Sequence, residues 1–302
     1  MREFCSTVSM QGVEPLAGSA MPARRMLFIT WPKTLWVRRE LEAREFPQSL
    51  RSYLRHAQHQ LDVVPQLAHR SGLPPERHSI LLMPDNVVVP DVDRADIEPV
   101  ARALIEGTSP RPYEALPVGV PSLFVCTHGQ RDRCCAKYGF GLLQALQSEC
   151  TRRDLRVELW ECTHLGGDRF AANAFVFPAA HMYGHLRPEQ APTLLEHLAS
   201  GRVYVPAYRG SMLYSGVRQL AEAVGQAECS ARGLPARVTL GDVTEHSEER
   251  ADVEIEIGDG SRLLVRCVRR QYEVTIDCDQ LDAGAKRWVR RWTVERIESL
   301  PG

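Results

Sequence analysis

Short apolar runs that stop at proline, separated by helical patterns, predict an α/β fold for the first part of the chain. The runs at 26–31 (MLFITW) and 79–83 (SILLM) indicate strands, because each is brief, apolar and followed directly by proline. Helical patterns fill the interval between them through about residue 70, and an amphipathic helix is expected at 93–105. These elements predict an N-terminal α/β domain at 23–108.

A second α/β domain is expected at 122–230, after a proline-rich linker at 109–121. Its pattern indicates a β-α-β unit, then a β-hairpin, then a helix, which is the order of a thioredoxin-like fold. The expected elements are strands at 122–126 and 155–160, a helix at 135–150, hairpin strands at 174–177 and 181–183, and helices at 187–200 and 213–226.

The two ends of the chain have different patterns. Residues 1–22 are small and polar without periodicity, so a mobile leader is expected there. From 236 to 302 apolar and polar residues alternate, and Gly258–Gly260 is a hairpin turn signal, which together predict a small antiparallel β domain. No internal repeat is apparent along the chain.

Composition excludes some classes of partner but does not change the predicted domains. The chain is 44% hydrophobic and 25% charged with a net charge of −1, which is typical of a globular protein and gives no bias toward nucleic acid or anionic lipid. No apolar stretch approaches the roughly 20 residues that span a bilayer, and no signal-peptide pattern opens the sequence. We therefore expect a cytoplasmic protein with neither nucleic acid nor membrane as partner.

The nine cysteines are distributed unevenly along the chain. Cys126, Cys134, Cys135 and Cys162 are close together in sequence, whereas the others are scattered. Because cytoplasmic thiols are kept reduced, such a group indicates metal or redox chemistry rather than a disulfide framework.

The first cysteine-rich stretch, CTHGQRDRCC, joins a predicted strand to a predicted helix. It offers Cys126 at one end and either Cys134 or Cys135 at the other. Adjacent residues at a helix start point about 100° apart, so only one of that pair is expected to face a metal. Soft thiolates favour iron–sulfur clusters, zinc or copper(I) over hard cations.

The second stretch, WECTHLGGDRFAAN, leaves a predicted strand through the Gly166–Gly167 turn and offers Cys162, His164 and Asp168. Glycines at such a place let the backbone approach an inorganic centre and donate N–H groups to it. The two stretches together therefore predict a metal site with mixed ligands.

These two stretches, with the following AFVFP and HMYGHL, resemble the sucrase/ferredoxin-like family of Apd-type thioredoxin-like ferredoxins, most closely over 120–200. The resemblance implies a thioredoxin-like ferredoxin domain, flanked here by the N-terminal α/β and C-terminal antiparallel β domains. It also implies a 2Fe–2S cluster held by two cysteines of the first loop and two histidines of an H-x3-H second loop. Carried over, the ligand positions are Cys126, Cys135, His164 and Asp168.

Asp168 stands where the family has a histidine, so the fourth ligand stays open. Carboxylate is a hard ligand for cluster iron, and Cys162 is the softer alternative, two residues before His164. Cys134 likewise remains the alternative to Cys135.

The resulting prediction is a one-electron carrier between redox donor and acceptor proteins whose identity is unknown, rather than a catalyst. Nothing in the chain resembles a sucrase, and neither a P-loop nor a dinucleotide fingerprint is present. A structural zinc site with the same ligands is the main alternative, followed by a metal-free thiol-redox protein and an interaction module.

Overall fold

The structure, a computed structural model, describes residues 3–301 and shows alternating helices and strands. The helices are α1 (Cys5–Gln11), α2 (Gln48–Gln60), α3 (Ile97–Glu106), α4 (Phe140–Arg153), α5 (Ala191–Ala199), α6 (Gly216–Ala231) and α7 (Cys278–Asp282). The strands are β1 (Arg25–Thr30), β2 (Val63–His69), β3 (Arg77–Met83), β4 (Val87–Asp93), β5 (Leu116–Pro117), β6 (Ser122–Cys126), β7 (Glu158–Cys162), β8 (Ala174–Phe177), β9 (His181–Tyr183), β10 (Tyr208–Ser211), β11 (Val238–Ser247), β12 (Arg250–Ile257), β13 (Arg262–Val274) and β14 (Arg287–Ser299).

The chain divides into two compact units. The sheet unit comprises residues 23–165 and 174–180, and the C-terminal unit comprises the chain up to Pro22, residues 166–173, and everything from His181 onward. Mixed α/β structure with a separate antiparallel sheet near the C-terminus confirms the expected fold class. The domain boundaries expected from the sequence stay a prediction.

In the sheet unit the strands run in the order β8-β6-β7-β2-β1-β3-β4-β5. The pairs β1/β2 and β6/β7 are parallel, and the remaining pairs are antiparallel. Helices α2 and α3 bury one apolar face each against this sheet, in a core that includes Leu54, Leu67 and Ile97. The apolar positions recur at helical spacing, which is why these segments fold as helices on a sheet.

The sheet unit contains the same β-α-β-β arrangement twice, although the sequence itself shows no internal repeat. The first copy is β1-α2-β2-β3 and the second is β6-α4-β7-β8. Their registers agree: Thr30 pairs with Ala68 as Cys126 pairs with Cys162. The two copies share little sequence beyond Leu-Phe in β1 and β6, so the repeat is visible only in the fold.

The two repeats meet through β2 and β7, which pair antiparallel at their carboxyl ends. Ala68 lies opposite Cys162, and on one side of this pair the Thr163 amide donates to the Leu67 carbonyl over 2.9 Å. Because Ala68 and Cys162 are equivalent positions of the two repeats, a local two-fold axis passes through this pair. The carboxyl ends of both parallel strand pairs therefore come together in the middle of the sheet.

The C-terminal unit is built on the four-stranded antiparallel sheet β11-β12-β13-β14. Helix α6 packs on this sheet and buries Leu220 and Cys229 against Val253, Ile255 and Val265. Period-two alternation in β12 and β13 supplies the apolar face that the helix covers.

Several elements differ from the sequence expectations. The helical pattern expected to reach residue 70 ends at Gln60, and β2 follows it; Pro65 and Gln66 concealed that strand. Strand β4 was not expected, because Pro90, Asp91 and Asp93 interrupt its apolar pattern. Within the expected leader, α1 buries Cys5 and Ser6. Between residues 3 and 301, no helix combines the length and hydrophobicity needed to cross a bilayer.

Candidate metal centre

Cys126 and Cys162 are the last residues of two neighbouring parallel strands and lie directly opposite each other. Both are buried, with 1% and 0% of their surface exposed. Burial, together with the adjacent Cys126 and Glu161, raises the pKa of the Cys162 thiol well above its ordinary value. Without a compensating cation, Cys162 therefore stays a neutral thiol.

The helix that carries Cys134 and Cys135 begins against the Cys126 backbone. The Asp132 carboxylate accepts a hydrogen bond of 2.7 Å from the Cys134 amide, which satisfies one of the open N–H groups at the helix start. A π-helical turn, Cys135–Gly139, follows and leads into α4. A Cβ atom on Gly139 would overlap the Cys126 carbonyl oxygen, so only glycine permits this approach. Cys135 lies one turn before that contact.

The loop after Cys126 is held by polar contacts on both sides. The Thr127 hydroxyl donates to Glu161 over 2.6 Å, and Lys33 forms an ion pair with the same carboxylate. His128 is fully buried, and its Nε2 donates to the Val37 carbonyl over 2.8 Å. The first repeat therefore supplies part of the support for the cysteine loop of the second.

The second predicted loop is divided between the two units. Half-buried His164 follows β7 in the sheet unit, whereas Asp168 belongs to the C-terminal unit and is 2% exposed. Gly166 and Gly167 have φ values of 78° and 77°, in the left-handed region that favours glycine. Asp168 then opens a single 3-10 turn, Asp168–Phe170.

Arg209, in β10, holds the loop that carries Asp168. Its guanidinium donates to the Gly166 carbonyl over 2.9 Å and to the Asn173 side chain over 2.7 Å. Asn173 in turn donates to the Gly167 carbonyl over 2.9 Å. Arg209 also donates to the backbone and hydroxyl oxygens of Ser19. Each of these acceptors is neutral, so within residues 3–301 the buried guanidinium of Arg209 has no hydrogen-bonded carboxylate.

The electrostatics of Arg209 follow from that burial. Burial, reinforced by the charges of Arg169 and Arg291, holds the pKa of Arg209 well below its ordinary value, while Glu14 and Asp168 act in the opposite direction. The loop around Asp168 is therefore a place where additional negative charge is stabilised.

Glu14 fixes a second part of the same loop from within the C-terminal unit. Its carboxylate accepts two hydrogen bonds of 2.7 Å from Arg169 and one of 2.9 Å from Arg291. Burial raises the pKa of Glu14, but the hydrogen bonds and charges of the two arginines outweigh burial and lower it.

The structure thus brings Cys126 together with Cys162, and places the helix start of Cys134 and Cys135 against the Cys126 backbone. Sequence reasoning missed Arg209, Asn173 and Gly139. Asn173 and Gly139 lie in or near the quoted motifs, but Arg209 lies far along the chain in no motif.

The model of the sucrase/ferredoxin-like family matches residues 16–210 of the chain. The chain belongs to the sucrase/ferredoxin-like family. The match confirms the resemblance inferred from the two cysteine-bearing stretches, and it extends through the N-terminal region as well.

Two relatives of this sucrase/ferredoxin-like chain are yeast proteins, each named altered inheritance of mitochondria protein 32. The protein of Clavispora lusitaniae is 28% identical over 109 residues, covering 34% of this chain and 40% of the relative. That of Debaryomyces hansenii is 26% identical over 138 residues, covering 42% of this chain and 50% of the relative. The chain therefore spans half or less of the length of these curated relatives.

Among solved structures, a thioredoxin-like 2Fe–2S ferredoxin from Aquifex aeolicus is similar to part of this sucrase/ferredoxin-like chain. It is 18% identical, covers 30% of this chain and 89% of the ferredoxin, and has a TM-score of 0.27. The Cys55Ser variant of the same ferredoxin gives a TM-score of 0.26.

Proposed function

We propose that this member of the sucrase/ferredoxin-like family binds one 2Fe–2S cluster and carries single electrons between redox proteins. The proposal rests mainly on buried Cys126 at the carboxyl end of β6, with the helix start that bears buried Cys135 packed against its backbone. The carboxyl ends of parallel strands are where ligands and cofactors bind in α/β sheets.

The proposed ligands are Cys126, Cys135, His164 and Asp168, with Cys134 as the alternative to Cys135 and Cys162 as the alternative to Asp168. The donor set fits the group, because buried thiols and an imidazole are ligands that cluster iron accepts. All four candidate cysteines are buried, with 1% or less of their surface exposed: Cys126, Cys134, Cys135 and Cys162. Each could therefore hold iron away from water.

When bound, a 2Fe–2S cluster supplies one-electron chemistry, and imidazole ligation raises its potential relative to four thiolates. The chain contributes the surroundings. The Thr127, Glu161 and Lys33 contacts fix the first loop, and Arg209 fixes the second while offering a buried positive charge. An Asp168 ligand would add an anion, and Arg209 offsets part of that charge.

Serine substitutions test which cysteines bind the metal. Cys126→Ser and Cys135→Ser are expected to lose most of the visible absorption of anaerobically purified protein. Cys134→Ser is the matched control and is expected to keep it. If Cys135→Ser keeps the visible absorption and Cys134→Ser loses it, the ligand is Cys134 instead of Cys135.

The fourth ligand is tested in the same way. Asp168→Ala is expected to bleach faster than the wild type, Asp168→His to be more stable, and Cys162→Ser to change little. Loss of the spectrum in Cys162→Ser alone would make the cysteine the ligand and Asp168 a residue of the turn. A colourless protein with one zinc per chain would support the structural zinc site instead.

The redox donor and acceptor, and the expected absence of nucleic-acid and membrane partners, remain proposals. A cytoplasmic location also remains a proposal. The names of the yeast relatives make mitochondria the alternative location, which cell fractionation distinguishes.

A further inference from the structure

The first repeat has a cavity of about 140 Å³ at the carboxyl ends of β1 and β2. The lining includes Thr30 and Trp31 from the end of β1, His69 from the end of β2, and His78 from the start of β3. The rest of its wall is largely apolar and rich in proline, with Arg77 as its one charged residue; the apolar part is Pro32, Leu73, Pro74 and Pro75.

This cavity occupies, in the first repeat, the position of the candidate metal centre in the second. Strand register makes Thr30 equivalent to Cys126 and Ala68 equivalent to Cys162. Ile80, the partner of Ile29, lies twelve residues after Ala68, and Ala174, the partner of Val125, lies twelve residues after Cys162. Counting along these equal intervals sets Arg70 against His164 and Pro74 against Asp168. None of the first-repeat residues in this comparison is a soft ligand, so the first repeat retains the site without its metal chemistry.

Two of the polar groups in the cavity wall are already satisfied. Arg77 donates to both oxygens of Asp91 and forms an ion pair with Asp93, which neutralise its charge. The Thr30 hydroxyl accepts a 2.7 Å hydrogen bond from the Ser79 amide. The cavity therefore does not select an anion.

His78 forms part of the floor. Its Nδ1 lies 2.6 Å from the Thr30 carbonyl, which can only accept, so Nδ1 carries the proton. Its ring stacks on Trp31 with centroids 5.0 Å apart. Within residues 3–301 its Nε2 has no hydrogen-bond partner, but that atom is covered from solvent. A ligand would therefore contact the Trp31–His78 floor by packing.

His69 is the polar group that a ligand can reach, because its side chain lines the cavity and is only half-buried. Burial lowers the pKa of His69, and Lys33 acts in the same direction while Glu161 opposes it. The ring is therefore neutral near pH 7 and offers one donor and one acceptor nitrogen.

We infer that this cavity binds a small neutral aromatic molecule with one hydroxyl group, of the phenol class, through a hydrogen bond to His69. Its volume of about 140 Å³ is enough for one six-membered ring, since an enclosed cavity of about 150 Å³ holds benzene. The aromatic and proline-rich wall suits a flat ring, and one reachable imidazole suits one hydroxyl. The inference is independent of the proposed electron-transfer function.

Calorimetric titration of the full chain with phenol, and with toluene as the matched ligand without a hydroxyl, tests the inference. Phenol is expected to bind saturably at millimolar concentration and about five- to tenfold more tightly than toluene, the value of one net hydrogen bond. His69→Phe is expected to remove that preference, whereas His59→Phe, at an exposed position of α2, is expected to retain it.

A second variant tests the cavity without changing His69, because His69→Phe could itself alter folding. Leu73→Trp, at the half-buried rim, is expected to fill the cavity and abolish binding of both ligands while leaving the core unchanged. Equal affinity for phenol and toluene, phenol preference retained in His69→Phe, or binding unaffected by Leu73→Trp would each overturn the inference. Absence of phenol binding to the wild type would overturn it as well.

Discussion

The rings of Phe28 and Phe124 stack on each other, with centroids 3.7 Å apart and planes inclined by 17°. The two residues hold equivalent places in the two repeats, since each lies two residues before the end of its strand, β1 or β6. Both are fully buried. The stack therefore joins the two repeats by side-chain packing, as the Ala68–Cys162 pair joins them through the sheet.

A double-mutant cycle at this stack tests the contact between the repeats. Phe28→Ala and Phe124→Ala are each expected to lower the free energy of unfolding by about 3–5 kcal/mol. The double variant is expected to lose less than the sum, by about 0.5–1.5 kcal/mol, because each single change already removes the ring pair. Urea denaturation measures all three values. Strict additivity would show that the two rings stabilise the fold independently.

Gly139→Ala tests the approach of the helix start to the Cys126 backbone. The added methyl group would overlap the Cys126 carbonyl oxygen, so the helix must move away from the end of β6. We expect the variant to bind less iron per chain than the wild type. Gly119→Ala is the matched control, because a Cβ there meets no atom within 4 Å. Equal iron content in both variants would contradict the geometry proposed for Cys126 and Cys135.

Arg209→Lys tests the contacts that hold the Asp168 loop. Lysine keeps the charge but loses the planar fork that reaches both Gly166 and Asn173. Amide hydrogen exchange across 166–173 is expected to accelerate in the metal-free protein, measured by mass spectrometry. Arg218→Lys, on α6, serves as the control. Unchanged exchange in Arg209→Lys would mean that other contacts fix the loop.

Glu222 gives the chain a stability that depends on pH. Burial raises its pKa to about 7 despite the hydrogen bond it accepts from Tyr208. Because the pKa of Glu222 is higher in the folded state than in the unfolded state, its contribution to stability is complete below about pH 4.5. That contribution is lost as pH rises through about 7. Glu222→Gln is therefore expected to be more stable than the wild type at pH 8, by up to about 3 kcal/mol, with little difference at pH 4. A constant difference across that range in urea denaturation would contradict the raised pKa.

Much of the fold could be predicted because local pattern and tertiary environment agree. Strands β6, β8 and β9 are apolar runs with clear boundaries, and the alternation in β12 and β13 directly marks their buried faces. Strand β2 was hidden because Pro65 and Gln66 interrupt its apolar run, and only its pairing with β1 and β7 settles its conformation.

The candidate site could be predicted only in part, for a similar reason. Cys126, Cys135, His164 and Asp168 belong to short motifs, whereas Arg209 and Gly139 act through contacts that are distant in sequence. The equivalence of Thr30 with Cys126 was equally hidden, because register conserves position while the side-chain chemistry has diverged.

Metal and sulfide analysis decides whether the full chain holds a 2Fe–2S cluster. Protein purified without air is to be assayed for iron, zinc and acid-labile sulfide per chain, alongside Cys126→Ser. We expect two irons and two sulfides per chain in the wild type, with both largely lost in the variant. One zinc and no sulfide per chain, or iron and sulfide unchanged by Cys126→Ser, would show that the chain does not hold a 2Fe–2S cluster at this site.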